Sequence, residues 1–179
     1  KAGYVEKSED GTYRLTSEGQ LMWRMSQKKS TQADRAYSTL LLAVQRQSDG
    51  AWLLYRRRTH PMFGLAGFMH AKPSPDATAT DLASQVLREQ TGLTGKFVVH
   101  AHGYFRVFRR GVVEGFTHFT LLRCSETQGE LRQNSELAEY YWDTDPDWQA
   151  PDMLPNMQTL HKTLQAPEGS FVEQTFDIE

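Results

Sequence analysis

The sequence predicts an α+β fold, and three observations support that class. Four apolar segments, each bounded by turn residues, have the character of strands: 37–45, 51–58, 96–107 and 113–124. Residues 78–90 instead repeat apolar side chains at the spacing of an amphipathic helix. A second helical pattern covers residues 153–165. Strands and helices are therefore expected within one domain.

Length and composition restrict the class of protein further. The 179 residues suffice for one good-sized domain, or one domain with a small appendage. A hydrophobic content of 39% and a charged content of 23% are typical of globular proteins. The net charge of −2 gives no overall indication of nucleic-acid or membrane binding. The single cysteine, Cys124, excludes an intrachain disulfide framework and a multi-cysteine zinc site.

The chain shows no targeting segment. No apolar run reaches the roughly 18 residues of a membrane span, and no signal-peptide core is present. A cytoplasmic location without a membrane partner is therefore expected. Residue 1 is Lys rather than Met, which is consistent with a natural start, and even a leader, further upstream.

Turn and cap residues connect the predicted elements. Ser48-Asp49-Gly50 predicts a hairpin between the first two strands of the main domain, and residues 61–77 form a loop rich in Gly, Pro and Ala. Gly92 ends the helix, and Arg109-Arg110-Gly111 is the turn of a long hairpin. Residues 166–179 are a C-terminal tail that forms either a strand or a mobile end.

The first 30 residues read as a separate partial unit. Predicted strands at 4–7 and 12–15 flank a Ser8–Gly11 turn, and Thr16 or Ser17 can cap a following helix. This segment resembles the wing and last helix of a winged helix-turn-helix domain. The resemblance covers only the last third of such a domain, without its recognition helix. It implies DNA as a partner only through a completed winged-helix domain. Polar residues 26–35 read as a linker.

Residues 36–165 resemble the Nudix family in the order of their elements and in a degenerate Nudix box. The family pattern is G-x5-E-x7-R-E-U-x-E-E-x-G-U, where U is aliphatic. Anchoring it on Gly92-Leu93 places the box glycine at Ala71, the first glutamate at Ala77, the Arg-Glu pair at Gln85-Val86, the aliphatic position at Leu87 and the Glu-Glu pair at Glu89-Gln90. The resemblance implies an α/β/α sandwich with a mixed sheet, and Mg²⁺ or Mn²⁺ as cofactor if the protein is hydrolytic.

The catalytic half of the box is nearly absent. Positions 86, 89 and 90 share one helical face, where the family's carboxylates hold metal ions against a diphosphate. Here that face carries Val86, Glu89 and Gln90, and valine cannot ligate a metal. Glu89 is therefore the one candidate box carboxylate for catalysis or metal binding. Glu114 and Glu136 are the candidate substitute acids for catalysis, and Glu139 is a further acid of the same region. Asp81 lies eight residues before Glu89, which is too far along the helix for one metal to bind both easily.

Several polar residues are candidates for ligand contacts. Guanidinium groups suit phosphate oxygens, and Arg56 and Arg58 share one face at the end of a strand. The other predicted ligand contacts are His70 in the former glycine loop, and Gln85 and Gln90 on the box helix. His100, His102 and His118 lie on neighbouring strands, either as a zinc site or as polar residues of a half-buried sheet.

Three functional classes follow from this combination. The first is a Nudix-like domain that binds a nucleotide or nucleoside diphosphate derivative without efficient hydrolysis, as the sensor of a transcription regulator. The alternative is an active metal-dependent Nudix hydrolase of nucleoside diphosphate-linked compounds. The second alternative is a non-enzymatic interaction scaffold, with strand edges and the C-terminal tail forming a homodimer.

Overall fold

The computed structural model describes residues 5–7, 13–16, 36–60 and 62–178. The chain divides into two compact units, Lys1–Arg35 and Ala36–Glu179. In the first unit, β1 (Val5–Lys7) pairs antiparallel with β2 (Tyr13–Leu15). The two predicted strands are confirmed. The Ser8–Gly11 turn, the helix after it and the linker lie outside the described residues, so the winged-helix resemblance remains a prediction.

The second unit contains the elements expected of an α+β domain. In chain order they are β3 (Tyr37–Val44), β4 (Trp52–Arg57), β5 (Ala66–Gly67), β6 (Met69–Ala71), α1 (Ala79–Thr91), β7 (Thr94–Gly95), β8 (Val98–Arg109), β9 (Val112–Cys124), β10 (Thr127–Gln128), β11 (Ala138–Asp143), α2 (Met157–Leu164) and β12 (Ser170–Ile178). No helix among the described residues combines the length and apolarity needed to cross a membrane.

The strands form a mixed main sheet and a smaller antiparallel one. The main sheet has the order β12-β8-β9-β3-β6, in which β3 lies parallel to β9 and β12 lies parallel to β8. The smaller sheet has the order β11-β4-β5, and a short pair joins β10 to β7. The C-terminal segment is therefore a strand of the main sheet, which decides between the two alternatives for the tail.

The predicted hairpin between β3 and β4 is wrong. These strands enter different sheets, and only an isolated bridge between Gln45 and Trp52 connects them. The reason is that β3 is buried on both faces from Leu40 to Val44. Such a strand is most stable in the interior of a sheet covered on both sides, where it pairs with β9 and β6.

Two apolar cores lie on opposite sides of the main sheet. Leu40, Leu42 and Val44 pack in the core that contains Leu87 of α1. Leu41 and Ala43, which alternate with them, pack in the core that contains Leu160 of α2. The sheet is thus enclosed between the two helices.

Helix α1 follows its sequence signals closely. The Thr78 hydroxyl accepts a hydrogen bond from the backbone N–H of Asp81, and Gly92 ends the helix at a φ of 78°. The apolar stripe packs inward, with Ala83 and Leu87 fully buried. The predicted box helix is therefore confirmed within one residue at each end.

Two other segments differ from the predicted boundaries. Helix α2 begins at Met157 rather than 153, because residues 152–154 instead bond to Ala66 of β5: Ala66 N–H donates to the Asp152 carbonyl and Leu154 N–H donates to the Ala66 carbonyl. The loop predicted for 61–77 contains β5 and β6. Both differences come from long-range pairing that local sequence does not encode.

Candidate functional site

A cavity of about 160 Å³ lies beside the C-terminal end of α1. Strands β4, β6 and β11 supply most of its wall. Its lining residues are Tyr55, Arg57, Thr59, Met69, His70, Gln90, Leu137, Ala138 and Tyr140. Among these nine residues, Arg57 carries the only guanidinium and none is a carboxylic acid.

Strand alternation brings Tyr55 and Arg57 to this cavity. Leu53 and Tyr55 pack in the core on the α1 side, whereas Trp52 and Leu54 pack in the core on the α2 side. Because side chains alternate along a strand, Arg57 lies on the same face of β4 as Leu53 and Tyr55. The Nε atom of Arg57 is shielded from solvent and has no hydrogen-bond partner among the described residues. Arg57 lines the cavity, and its guanidinium forms no salt bridge with a carboxylate in the described part of the chain.

Tyr55 links Arg57 to His70. An Nη1–H of Arg57 donates to the Tyr55 hydroxyl oxygen at 3.4 Å, and that hydroxyl lies 3.0 Å from Nδ1 of His70. Burial raises the pKa of Tyr55, and the charge of Arg57 partly offsets this effect. Burial, and after it the charge of Arg57, lowers the pKa of His70 from its usual 6.5. The imidazole is therefore neutral at pH 7.

Tyr140 provides a second link, to the end of the box helix. Its hydroxyl donates to Oε1 of Gln90 at 2.9 Å, although the two residues lie 50 positions apart in sequence. Burial raises the pKa of Tyr140, so the phenol keeps its proton. The contact holds the Gln90 amide against β11.

The structure brings two of the five predicted ligand residues to the cavity. His70 and Gln90 line it. Arg56 lies on the opposite face of β4, where Nη1 donates to Asp152 at 2.8 Å and to the Gly64 carbonyl at 2.9 Å. Arg58 donates to Oδ1 of Asn134 at 2.6 Å, and Gln85 donates to Glu89.

Sequence reasoning missed Arg57, Tyr55 and Tyr140. For Arg57 a signal existed, since it alternates with its two neighbours along β4. Choosing between the two faces required knowing which one α1 covers. Tyr140 had no local signal, because its role depends on the pairing of β11 with β4.

The residues on the predicted metal face of α1, Val86, Glu89 and Gln90, do not fit a divalent cation. Val86 is half-buried and packs against the core. Glu89 is exposed and accepts a hydrogen bond from Gln85 at 2.8 Å, and Gln90 is held by Tyr140. Within the described residues, no group of three or more His, Cys, Asp or Glu side chains is placed to hold a metal. Magnesium favours several oxygen ligands, of which this face offers one carboxylate.

The substitute acids lie elsewhere. Glu136 is exposed in the loop before β11, and Glu139 is exposed on β11 opposite Arg56. Asp81 accepts a hydrogen bond from Thr78 at the N-terminus of α1. Glu114 lies on β9, and its side chain is outside the described part of the structure.

The three histidines do not form a zinc site. A bulge between Val99 and Ala101 buries His100, whose Nε2 lies 3.0 Å from the Thr163 carbonyl oxygen. His102 is instead exposed and bonds to Thr120. The ring of His118 packs against that of Tyr104. These are the contacts of polar sheet residues, which was the other alternative.

A second cleft is larger but less suited to a ligand. Its volume is about 380 Å³, and its lining includes Arg46, Glu126 and Gln128. Asp49 holds the guanidinium of Arg46 through two hydrogen bonds of 2.9 and 2.6 Å, and that cation lies over the Trp142 ring. The cation of this second cleft, Arg46, is already paired with Asp49. Arg57 forms no such ion pair among the described residues.

No protein-family model and no curated protein sequence matches the chain. Solved structures, in contrast, do match the chain. The mutator MutT protein from Bacillus halodurans aligns over 79% of this chain and 90% of its own, with 15% identity and a TM-score of 0.65. The MutT Nudix hydrolase from Burkholderia pseudomallei aligns over 73% of this chain and 98% of its own, with 16% identity and a TM-score of 0.58. The fold is Nudix-like.

A third similar structure is the Nudix domain of Shewanella oneidensis NrtR complexed with ADP ribose. It aligns over 84% of this chain and 97% of its own, with 15% identity and a TM-score of 0.51. These structural alignments show a common fold, and at identities this low they show the fold alone. Within that fold, the cavity of this chain lies beside the C-terminal end of α1.

Proposed function

We propose that this Nudix-like domain binds a nucleotide or nucleoside diphosphate derivative without efficient hydrolysis. The observation that carries the proposal is the cavity at the end of α1, where Arg57 is the one cationic side chain among nine lining residues and carboxylates are absent. A guanidinium without a carboxylate partner among the described residues suits phosphate oxygens. A lining without carboxylates lacks the ligands that Mg²⁺ prefers.

The size of the cavity restricts how such a ligand can bind. Pockets for drug-sized molecules measure about 300–1,000 Å³, whereas this one measures about 160 Å³. It therefore accommodates the phosphate portion rather than a whole dinucleotide. Leu137, which is 62% exposed, lies at the wall and offers an apolar surface for the remainder.

Two of the similar structures motivate the class of ligand. One is the NrtR Nudix domain in complex with ADP ribose, and another is a bifunctional NMN adenylyltransferase/ADP ribose pyrophosphatase from Francisella tularensis. We propose the same chemical class here. The sensor role in a transcription regulator rests on the wing-like N-terminal segment, and DNA binding would require a complete winged-helix domain.

The hydrolase alternative keeps one supporting observation. Glu89 is exposed on the box helix, and several similar structures are named as MutT proteins or Nudix hydrolases. A hydrolase would need carboxylates in addition to Glu89, with Glu114 and Glu136 as candidates.

A panel of compounds tests the proposal. ADP-ribose, dinucleotides, NDP-sugars and NTPs are assayed for product release with Mg²⁺, Mn²⁺ or EDTA, and for thermal stabilisation of the same samples. The proposal expects saturable stabilisation in EDTA by at least one compound, and no turnover. Metal-dependent turnover that Glu89→Gln abolishes would establish the hydrolase instead. Neither binding nor turnover, together with a stable oligomer, would favour the scaffold.

A further inference from the structure

We infer that Tyr55 and Tyr140 orient the hydrogen bonds of the cavity so that Arg57, His70 and Gln90 offer donors to it, which makes it a metal-independent site for an ionised oxyanion. This inference deepens the proposed function and rests on it for the identity of the larger ligand. The oxyanion itself, a phosphate or a carboxylate, is recognised by the cavity alone.

The first step concerns Gln90. An amide side chain has one acceptor oxygen and one NH₂ donor, and its orientation follows from its partners. The Tyr140 hydroxyl donates to Oε1 of Gln90 at 2.9 Å. The carbonyl end of the amide is therefore occupied, and the NH₂ group is the end left for a ligand.

The second step concerns His70. The Tyr55 oxygen accepts from Arg57 at 3.4 Å, so its own proton is free to be donated to Nδ1 of His70 at 3.0 Å. Burial and Arg57 keep the imidazole neutral by lowering its pKa. A neutral imidazole that accepts at Nδ1 carries its hydrogen at Nε2. His70 is thereby left with a donor.

The third step combines these groups with Arg57, whose cation forms no salt bridge among the described residues. The hydrogen-bonding groups that Arg57, His70 and Gln90 have left for a ligand are all N–H donors. A fully ionised phosphate or carboxylate offers only acceptors and matches this set. A hydrated Mg²⁺ ion needs acceptor oxygens, whereas these three side chains offer donors. Arg57 thus supplies the positive charge that bound metal ions would otherwise contribute.

The test uses the whole chain and inorganic pyrophosphate in EDTA, with malonate as the dicarboxylate arm. Calorimetry should detect metal-independent binding of pyrophosphate. Gln90→Glu replaces the donor with an anion of nearly the same size and should weaken binding at least about tenfold. Gln149→Glu makes the same chemical change at an exposed loop position outside the cavity lining, and should leave binding unchanged.

Two further measurements address the tyrosines directly. Tyr140→Phe keeps the ring and loses the hydroxyl, and should weaken pyrophosphate binding about fivefold. Nitrogen NMR of the wild-type chain should show His70 protonated at Nε2 and not at Nδ1, whereas Tyr55→Phe should give a mixture of tautomers. A merely structural role of Tyr55 would leave that tautomer unchanged.

The outcomes separate this inference from the proposed function. If pyrophosphate binds and Gln90→Glu weakens binding at least about tenfold, the donor site is supported, and the malonate arm shows whether carboxylates share it. If a nucleotide stabilises the protein but pyrophosphate does not bind, or if Gln90→Glu binds pyrophosphate as well as the wild type, the inference is overturned and the proposed function stands. If neither pyrophosphate nor any nucleotide binds, both are overturned.

Discussion

Replacing Arg57 with glutamine should weaken ligand binding without destabilising the fold. Most arginine substitutions at partly buried positions break contacts that stabilise the native state. Arg57 differs because, among the described residues, its Nε donor is shielded from solvent without a partner and its one side-chain hydrogen bond, to Tyr55, is long at 3.4 Å. The free protein therefore gains little from this guanidinium.

The magnitudes follow from that geometry. A charge-assisted hydrogen bond contributes about 1.5–3 kcal/mol, so losing one to a phosphate should raise Kd by about thirty-fold. An unsatisfied buried donor costs about 1–3 kcal/mol, which the substitution relieves in part, because the rest of the side chain is only half-buried. The free energy of unfolding should then stay constant or rise by about 1 kcal/mol.

Calorimetric titration with pyrophosphate in EDTA measures the affinity, and urea unfolding measures the stability. Arg56→Gln is the contrasting variant, because Arg56 donates to Asp152 and to the Gly64 carbonyl. It should lower the free energy of unfolding by about 1 kcal/mol and leave the affinity unchanged. Arg58→Gln, at an exposed position outside the cavity, should change both quantities little.

Two results would refute this reasoning. Unchanged affinity in Arg57→Gln, with affinity lost in Arg56→Gln or Arg58→Gln, would move the ligand to the face predicted from sequence. A loss of more than about 1 kcal/mol of stability in Arg57→Gln would show that the guanidinium stabilises the free fold.

Three more predictions concern the scaffold. Gly103→Ala should release β12 from the sheet, because a Cβ there would collide with the Val172 carbonyl and lie 2.7 Å from the Phe119 ring. Amide hydrogen exchange of residues 170–178 should therefore accelerate. Protection of these amides equal to that in the wild type would contradict the prediction. Leu87→Ala should lower the free energy of unfolding by about 2–5 kcal/mol in urea titrations, since Leu87 is fully buried; a loss below 1 kcal/mol would mean that the core refills the space. Burial lowers the pKa of His161, so the unfolded chain binds its proton first and stability should fall as pH drops below about 6.5. His161→Gln should flatten that part of the stability–pH curve, and an unchanged curve would exclude His161 as a contributor.

Local sequence determined the elements whose signals are self-contained. The apolar stripe of 78–90, with Gly92 after it, was sufficient to predict α1. The long hairpin followed from its Arg109-Arg110-Gly111 turn, where Arg110 and Gly111 both adopt positive φ. The sequence also showed that Val86, Glu89 and Gln90 share one face of α1, since the spacing on a helix fixes which residues lie together.

Only the tertiary structure decided which surfaces meet. Strands β3 and β4 are separated by a turn but belong to different sheets, because full burial of β3 requires neighbours from distant segments. Arg57 rather than Arg56 faces the cavity because α1 covers one side of β4. Gln90 became a directed donor through Tyr140, which is 50 residues away. Period, caps and turns act over a few residues, whereas pairing and hydrogen-bond polarity depend on contacts that form only when the chain has folded.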